Sequence, residues 1–539
     1  MKAREKISGI PDPENQPANE KEHISGILKR YENARKRHET WQSLWQECYN
    51  FALPQRDAMS QASRTGQSRM ERIYDGTALD AVDQLASSLL GNLTPPWTDW
   101  AGLKPGPDMR PEEAEAATPL LEKASQTLQA HFDRSNFAVE IHQAYLDLVT
   151  AGTASLAFEE TAPGAPSAFS FNSVPLGAMV LGEGATGQLD HTFRKLELTR
   201  DQIAGRYPSA EIPDSLQRFA RDDPDTLFEV LESVLPAHTG TYLSYNALLK
   251  NPESGEFTVL AARRFNASPF INFRWLKSPG EIYGRSPVMK ALPDIKTANK
   301  VVELILKNAS IAVTGIWQAE DDGVLNPANI SLQPGTIISK AVGSDGLKPL
   351  EMPGRFDVSQ LVLEDLRSRI RHTLLADRLP QINDRRMTAT EVLERGAQTA
   401  LLLGANYGRL QSELLTPLIT RGYEILRRRG EIPDLALDGR LVEIDFRAPL
   451  ARAQAQRNIQ NTLTWIDTAM AYGGTAQEAI NLPEAIRHLG RALGVPPHLI
   501  RNELPPEVTE AIIQSQPQPQ TQDPTKKDEV HDEQDQSAD

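Results

Sequence analysis

Residues 379–405 read LPQINDRRMTATEVLERGAQTALLLGA. A polar loop carrying Pro380, Asn383, Asp384 and the adjacent Arg385 and Arg386 runs directly into Met387-Thr388-Ala389-Thr390-Glu391-Val392. Thr388 or Thr390 can cap the helix that follows, and Glu391 and Glu394 put negative charge near its positive end. That helix extends to about Arg429, where Arg427-Arg428-Arg429-Gly430 supplies the cations and glycine that suit a C-terminus. Pro417 lies inside it and predicts a bend, since proline removes a backbone hydrogen bond and crowds the preceding turn. Upstream, 358–376 reads as a helix with an apolar stripe of Leu361, Leu366, Ile370 and Leu374 opposite Arg367, Arg371 and Arg378. Another helix covers 287–311, and the segment 315–353 between the two is short-stranded and punctuated by Gly323, Gly335, Gly343 and Gly346.

Further strings extend the pattern towards the N-terminus. Tyr74-Asp75 leads into a helix over about 77–91 containing Leu85-Ala86-Ser87-Ser88-Leu89, which ends at Leu93-Thr94-Pro95-Pro96 and closes on Trp100. Tyr283-Gly284-Arg285-Ser286-Pro287 is followed by Ala291-Leu292-Pro293-Asp294-Ile295, with Pro287 suited to a first helical position. Apolar spacings of three and four predict helices over about 24–52, 112–133 and 136–150, with Gly152 as a cap. Short runs at 154–159, 169–174, 178–181, 191–198, 228–235, 257–264 and 270–276, with turn signals between them, predict strands. A β-rich middle between helical flanks is an α+β pattern.

The chain has 539 residues, 40% hydrophobic and 24% charged, which suits a soluble protein of several domains. No apolar run reaches the roughly 20 residues needed to span a bilayer, and the polar N-terminus lacks a secretory core. Cys48 is the only cysteine, so an internal disulfide is excluded and a buried inert thiol is expected. Asp and Glu number 72 against 57 Lys and Arg, a net charge of −15. That balance disfavours a static grip on phosphates; it suits a wall past which nucleic acid slides and equally a surface kept acidic for solubility.

No constellation for chemistry is legible. Gly182-Glu183-Gly184-Ala185-Thr186-Gly187 fits G-x-G-x-x-G, but QLDHTFRKLEL after it alternates like a strand, so a hairpin turn is expected rather than a dinucleotide site. There is no phosphate-loop string and no H-E-x-x-H, and one cysteine leaves little for zinc. Gly284-Arg285-Ser286-Pro287 lacks the second glycine of a nucleophile elbow. Asp222-Asp223-Pro224-Asp225 and Glu320-Asp321-Asp322-Gly323 read as solvated turns. Trp41 and Trp45, four apart on one helix face, read as packing. No catalytic residue, metal site or cofactor is therefore expected. A DNA-processing enzyme or motor subunit, the alternative, would need a carboxylate cluster or phosphate loop.

The strings around Tyr74, Leu93, Tyr283 and Met387, in that order over roughly 31–450, resemble those of the portal (head-to-tail connector) proteins of short-tailed double-stranded-DNA bacteriophages. The resemblance implies an α+β portal fold of helical stem, β-rich wing and clip, long kinked helix and helical crown, assembled as a ring, usually of twelve. It implies a disordered arm at 1–22, wing at 23–286, stem helices at 287–314 and 355–378, and clip at 315–354. It further implies a channel loop at 379–388, kinked helix and wing return at 389–450, crown at 451–513 and a disordered acidic tail at 514–539. Arg378, Asn383, Arg385 and Arg386 would be the DNA-channel loop residues. The implied partners are other copies of the chain, the major capsid protein, scaffold protein, the terminase motor, tail adaptors and DNA passing non-specifically, with no membrane. The implied location is the virion vertex, after assembly in the host cytoplasm.

Overall fold

A computed structural model describes residues 16–56, 70–96, 98–237, 242–314, 317–319, 342, 347–349, 356–377, 404, 406–434, 437–472, 485–486 and 489–490. The chain divides into two units, 1–454 and 455–539. In the second, the described residues are mainly the later part of a helix, Pro449–Tyr472.

The first unit opens with helix α1, Gln16–Ala52. It begins inside the segment expected to be a disordered arm, so the helix takes in residues 16–22. Its buried positions Ile27, Ala34, His38, Trp45, Cys48, Tyr49 and Ala52 recur at helical spacing. Helix α2, Thr77–Leu93, buries Ala78, Ala81, Val82, Leu85, Ala86, Leu89 and Leu93. Helices α3, Pro111–Asp133, and α4, Phe137–Ala151, follow, and α4 ends on Gly152 in the left-handed conformation at φ 77°.

The β-rich middle forms two sheets. Strands β2 (Thr153–Glu160), β3 (Phe169–Val174) and β9 (Phe270–Arg274) make an antiparallel sheet in the order β3-β2-β9. Strands β4 (Met179–Gly182), β5 (His191–Leu198), β6 (Phe228–Pro236), β7 (Leu243–Lys250) and β8 (Phe257–Phe265) make a five-stranded meander. The G-x-G-x-x-G string is the β4–β5 hairpin turn, with Gly182 opposite His191. Short helices α5, Arg200–Arg206, and α6, Asp214–Asp222, fill the β5–β6 connection. Alpha-helix α1 also packs on the meander, where Ile24, Ile27 and Ala34 meet Val180, Phe193, Leu231, Leu235 and Leu248. Strand β1, Ala101–Pro105, pairs antiparallel with the late strand β12, Val442–Phe446.

Helices α7, Pro287–Thr314, and α8, Phe356–Thr373, pack together. Between them Trp317–Ala319 (β10) and Leu347–Pro349 (β11) form a two-stranded ladder. The apolar stripe of α8 differs from the expected one: Leu361 is 75% exposed, and Leu363 joins Leu366, Ile370 and Leu374 in the core. Positions 363, 366, 370 and 374 keep spacings of three and four, whereas 361 lies five before 366. After residues 406–410 the chain makes a π turn, Gln411–Leu415, and resumes as helix α9, Thr416–Arg429, with Pro417 in its first turn. The helical hydrogen-bond register therefore changes just before Pro417, which cannot donate to it. Helix α9 ends on left-handed Gly430. The first turns of α10, Pro449–Tyr472, follow β12.

Candidate functional site: the root of the α7–α8 pair

The string Tyr283-Gly284-Arg285-Ser286-Pro287 is the base from which α7 starts, and each residue has a separate task. The Tyr283 ring is buried edge-on against Trp45, with centroids 4.9 Å apart. Its hydroxyl accepts the Leu181 N–H at 3.0 Å. Burial pushes the phenol well above its ordinary range, so it stays neutral. A Cβ built on Gly284 would stand 2.1 Å from the Gly152 carbonyl oxygen, and one on Gly152 would stand 2.4 Å from the Gly284 oxygen. The two backbones can meet only because both residues are glycine. The Gly284 N–H donates to Thr153 Oγ1 at 2.8 Å. Arg285 lies over the Trp41 ring at 4.5 Å and pairs with Glu281. Ser286 Oγ donates to the Thr150 carbonyl and accepts the Met289 N–H, both at 2.8 Å, capping α7 at Pro287.

A second junction joins α2, α7 and α8. On α7, Asn299 Oδ1 accepts the N–H groups of Tyr74 at 2.7 Å and Asp75 at 3.1 Å, while its Nδ2 donates to the Arg72 carbonyl at 3.0 Å. Asp75 accepts the Thr77 N–H at the start of α2 and, through its other oxygen, Arg367 Nε of α8 at 2.8 Å. Burial alone would push the Asp75 carboxyl up. The hydrogen bonds from Thr77 and Arg367 outweigh it and hold the carboxyl below its usual range. Arg369 of α8 reaches Asp294 of α7 at 2.9 Å.

A third junction centres on Arg274, 1% exposed on β9. It pairs with Glu413 in the π turn at 2.6 Å and with Glu183 of the β4–β5 turn at 3.2 Å. It also donates to the carbonyls of Ile282 and Gly187. A buried guanidinium satisfied by two carboxylates and two carbonyls fixes the hairpin, the approach to α7 and the π turn together.

These junctions fix the elements of the first unit against one another. Among the described residues no group of three or more His, Cys, Asp or Glu side chains is placed to hold a metal ion. Cys48 is buried and its thiol is pushed up to about 12 by that burial, so it is inert. Trp41 and Trp45 stack on each other at 5.8 Å as packing. No helix of the described residues is long and apolar enough to cross a membrane. Arg378, Asn383, Arg385 and Arg386 lie outside the described residues, as does Met387–Val392. Helix α8 leads towards them and closes with Leu375 at φ 62°.

The sequence profile of the family described as bacteriophage head to tail connecting protein matches residues 25–500. A probable portal protein of Bordetella phage BPP-1 is 24% identical over 496 residues, covering 88% of each chain. A portal protein of Salmonella phage epsilon15 is 25% identical over 508 residues, covering 89% of each. Among solved structures, a chain in the neck of a native gene transfer agent particle has a TM-score of 0.33 and 13% identity, covering 78% of this chain and 92% of that one.

Proposed function

Because the chain belongs to the bacteriophage head to tail connecting protein family, we propose that it forms a ring of twelve copies at one capsid vertex and serves there as the channel for DNA packaging and ejection. The match across residues 25–500 carries the reading. In it, α7 and α8 are the stem, 315–354 the clip, 379–388 the channel loop, 451–513 the crown and the sheets with α1–α4 the wing. The terminase motor and later the tail adaptors dock on the ring, and the capsid and scaffold proteins surround it. Channel function needs a stem that does not yield as DNA passes, and the three junctions supply it. Leu304, Leu306, Leu361 and Val362 stand 48%, 53%, 75% and 43% exposed on α7 and α8, apolar surface suited to a neighbouring copy. Head-to-tail contacts close into a ring when the rotation between copies closes.

Native mass spectrometry of the purified chain tests this. Twelve copies of 59.6 kDa give roughly 715 kDa. Monomer or dimer alone across concentrations, salts and added scaffold protein overturns the reading.

A further inference from the structure

A cleft of about 430 Å³ opens between the β8–β9 turn and α9. At its floor Arg421 is 4% exposed. Its guanidinium lies 4.6 Å from the centre of the Phe265 ring and donates to the Ala267 carbonyl at 3.2 Å. Its Nε, shut off from solvent, has no acceptor. Among the described residues no carboxylate pairs with it. Buried charges in folded proteins are ordinarily paired.

The surroundings deepen the imbalance. Arg264, Arg427 and Arg428 line the same cleft, with Glu424 and Asp434 the acids there. Those acids are engaged elsewhere: Arg427 takes Glu424 at 2.9 Å and Asp434 at 3.5 Å. Glu160, the nearby acid of β2, pairs with Arg428. Burial and the charge of Arg428 push Arg421 down to about 10, which still leaves it protonated at neutral pH.

We propose that this cleft binds a carboxylate presented by an acidic segment of a protein partner, with Arg421 as its floor contact and Arg264 at its rim. A carboxylate is planar and accepts the forked donors of a guanidinium two at a time. Asp434, itself 88% exposed and lining the cleft, meets Arg427 through a single contact, Nη1 to one carboxylate oxygen at 3.5 Å. Nucleic acid suits the site less well. A recessed guanidinium does not follow a phosphate backbone, whose charges run along an extended strand.

The test is fluorescence anisotropy of the full chain with a short fluorescein-labelled peptide of alternating Glu and Gly, competed by inorganic phosphate and by single-stranded oligodeoxythymidine. The expected result is saturable, salt-sensitive binding that Arg421→Met weakens about tenfold. Arg264→Gln, on an exposed residue stacked 4.8 Å over Tyr242, should weaken it several-fold. Should Arg421→Met fail to fold by circular dichroism, Arg264→Gln decides. Absence of saturable binding, wild-type affinity in the folded variants, or displacement by oligodeoxythymidine or phosphate at lower concentration than unlabelled peptide overturns the proposal.

Discussion

Asp75 and Arg367 meet across 292 residues of sequence, Arg367 Nε donating to Asp75 Oδ2 at 2.8 Å. The contact ties the start of α2 to α8, and Asn299 clamps the same backbone to α7 from the other side. Helices α7 and α8, joined by an apolar seam and by the Arg369–Asp294 pair, are thus also tied to one polar point at the start of α2. Asp75→Asn should destabilise the fold by about 1–2 kcal/mol, since a charge-assisted bond is lost while Arg367, 30% exposed, regains water. The sign of the pH dependence follows from the depressed folded-state pKa of Asp75. Its contribution is present above the unfolded value near 3.9 and is lost as pH falls through the lower folded value. The gap between wild type and variant in urea unfolding should therefore close as pH falls below about 4. A gap that stays constant would show that the charge is not what stabilises the junction.

The Gly152–Gly284 approach makes a steric prediction. Gly284→Ala would drive a methyl group to 2.1 Å from a backbone oxygen, which no side-chain rotation relieves. It should cost at least about 3 kcal/mol or prevent folding. Gly26→Ala, in α1 with nothing within 4 Å of the added carbon, should instead stabilise by roughly 0.5–1 kcal/mol. Equal urea midpoints for the two variants would sink the close-packing argument.

Much of this fold is legible before any coordinates, for reasons that differ between elements. Strands β2 to β6 and β8 show short apolar-rich runs between turn residues, and α2 and α4 show helical spacing with a glycine or proline stop. Strand β7 escapes because its buried run NALL is equally compatible with a helix. Strands β1 and β12 escape because each is short and is defined by a partner far along the chain. Asn299 is hidden for a related reason: a lone asparagine in a helix reads as solvated until the Tyr74-Asp75 backbone is brought against it. Arg274 did leave a signal. A charged residue closing the apolar run Phe270–Arg274, all five residues of which are buried, had to find a buried anion. The channel-loop assignment of Arg378, Asn383, Arg385 and Arg386 rests on family resemblance, not on geometry.

That assignment yields a functional prediction. If Arg385 and Arg386 line the channel, twelve copies put a band of positive charge on an acidic wall. Each phosphate contact is screened and weak, which lets DNA move. Arg385→Ala combined with Arg386→Ala should leave the ring intact by native mass spectrometry and lower the DNA packaged or retained per particle. Normal packaging would remove these residues from the channel role. Loss of the ring would make them subunit contacts instead.

Asp147 offers a pH test of the helical core. It is fully buried on α4, accepts the Tyr49 hydroxyl at 2.8 Å and pairs with Arg56 Nη2 at 2.8 Å. Burial raises its carboxyl to about 6, with Arg56 and Tyr49 only partly offsetting that rise. A raised folded-state pKa gives a contribution fully present below the unfolded value near 3.9 and lost as pH rises through about 6. Between pH 5 and 7 the wild type should therefore lose about 1 kcal/mol more stability than Asp147→Asn, which keeps an acceptor but cannot ionise. All other titrating groups are common to both proteins and cancel in the comparison. Urea unfolding at several pH values reads the two slopes directly. Parallel slopes would mean that Arg56 keeps Asp147 ionised throughout, and that the ion pair outweighs the cost of burial.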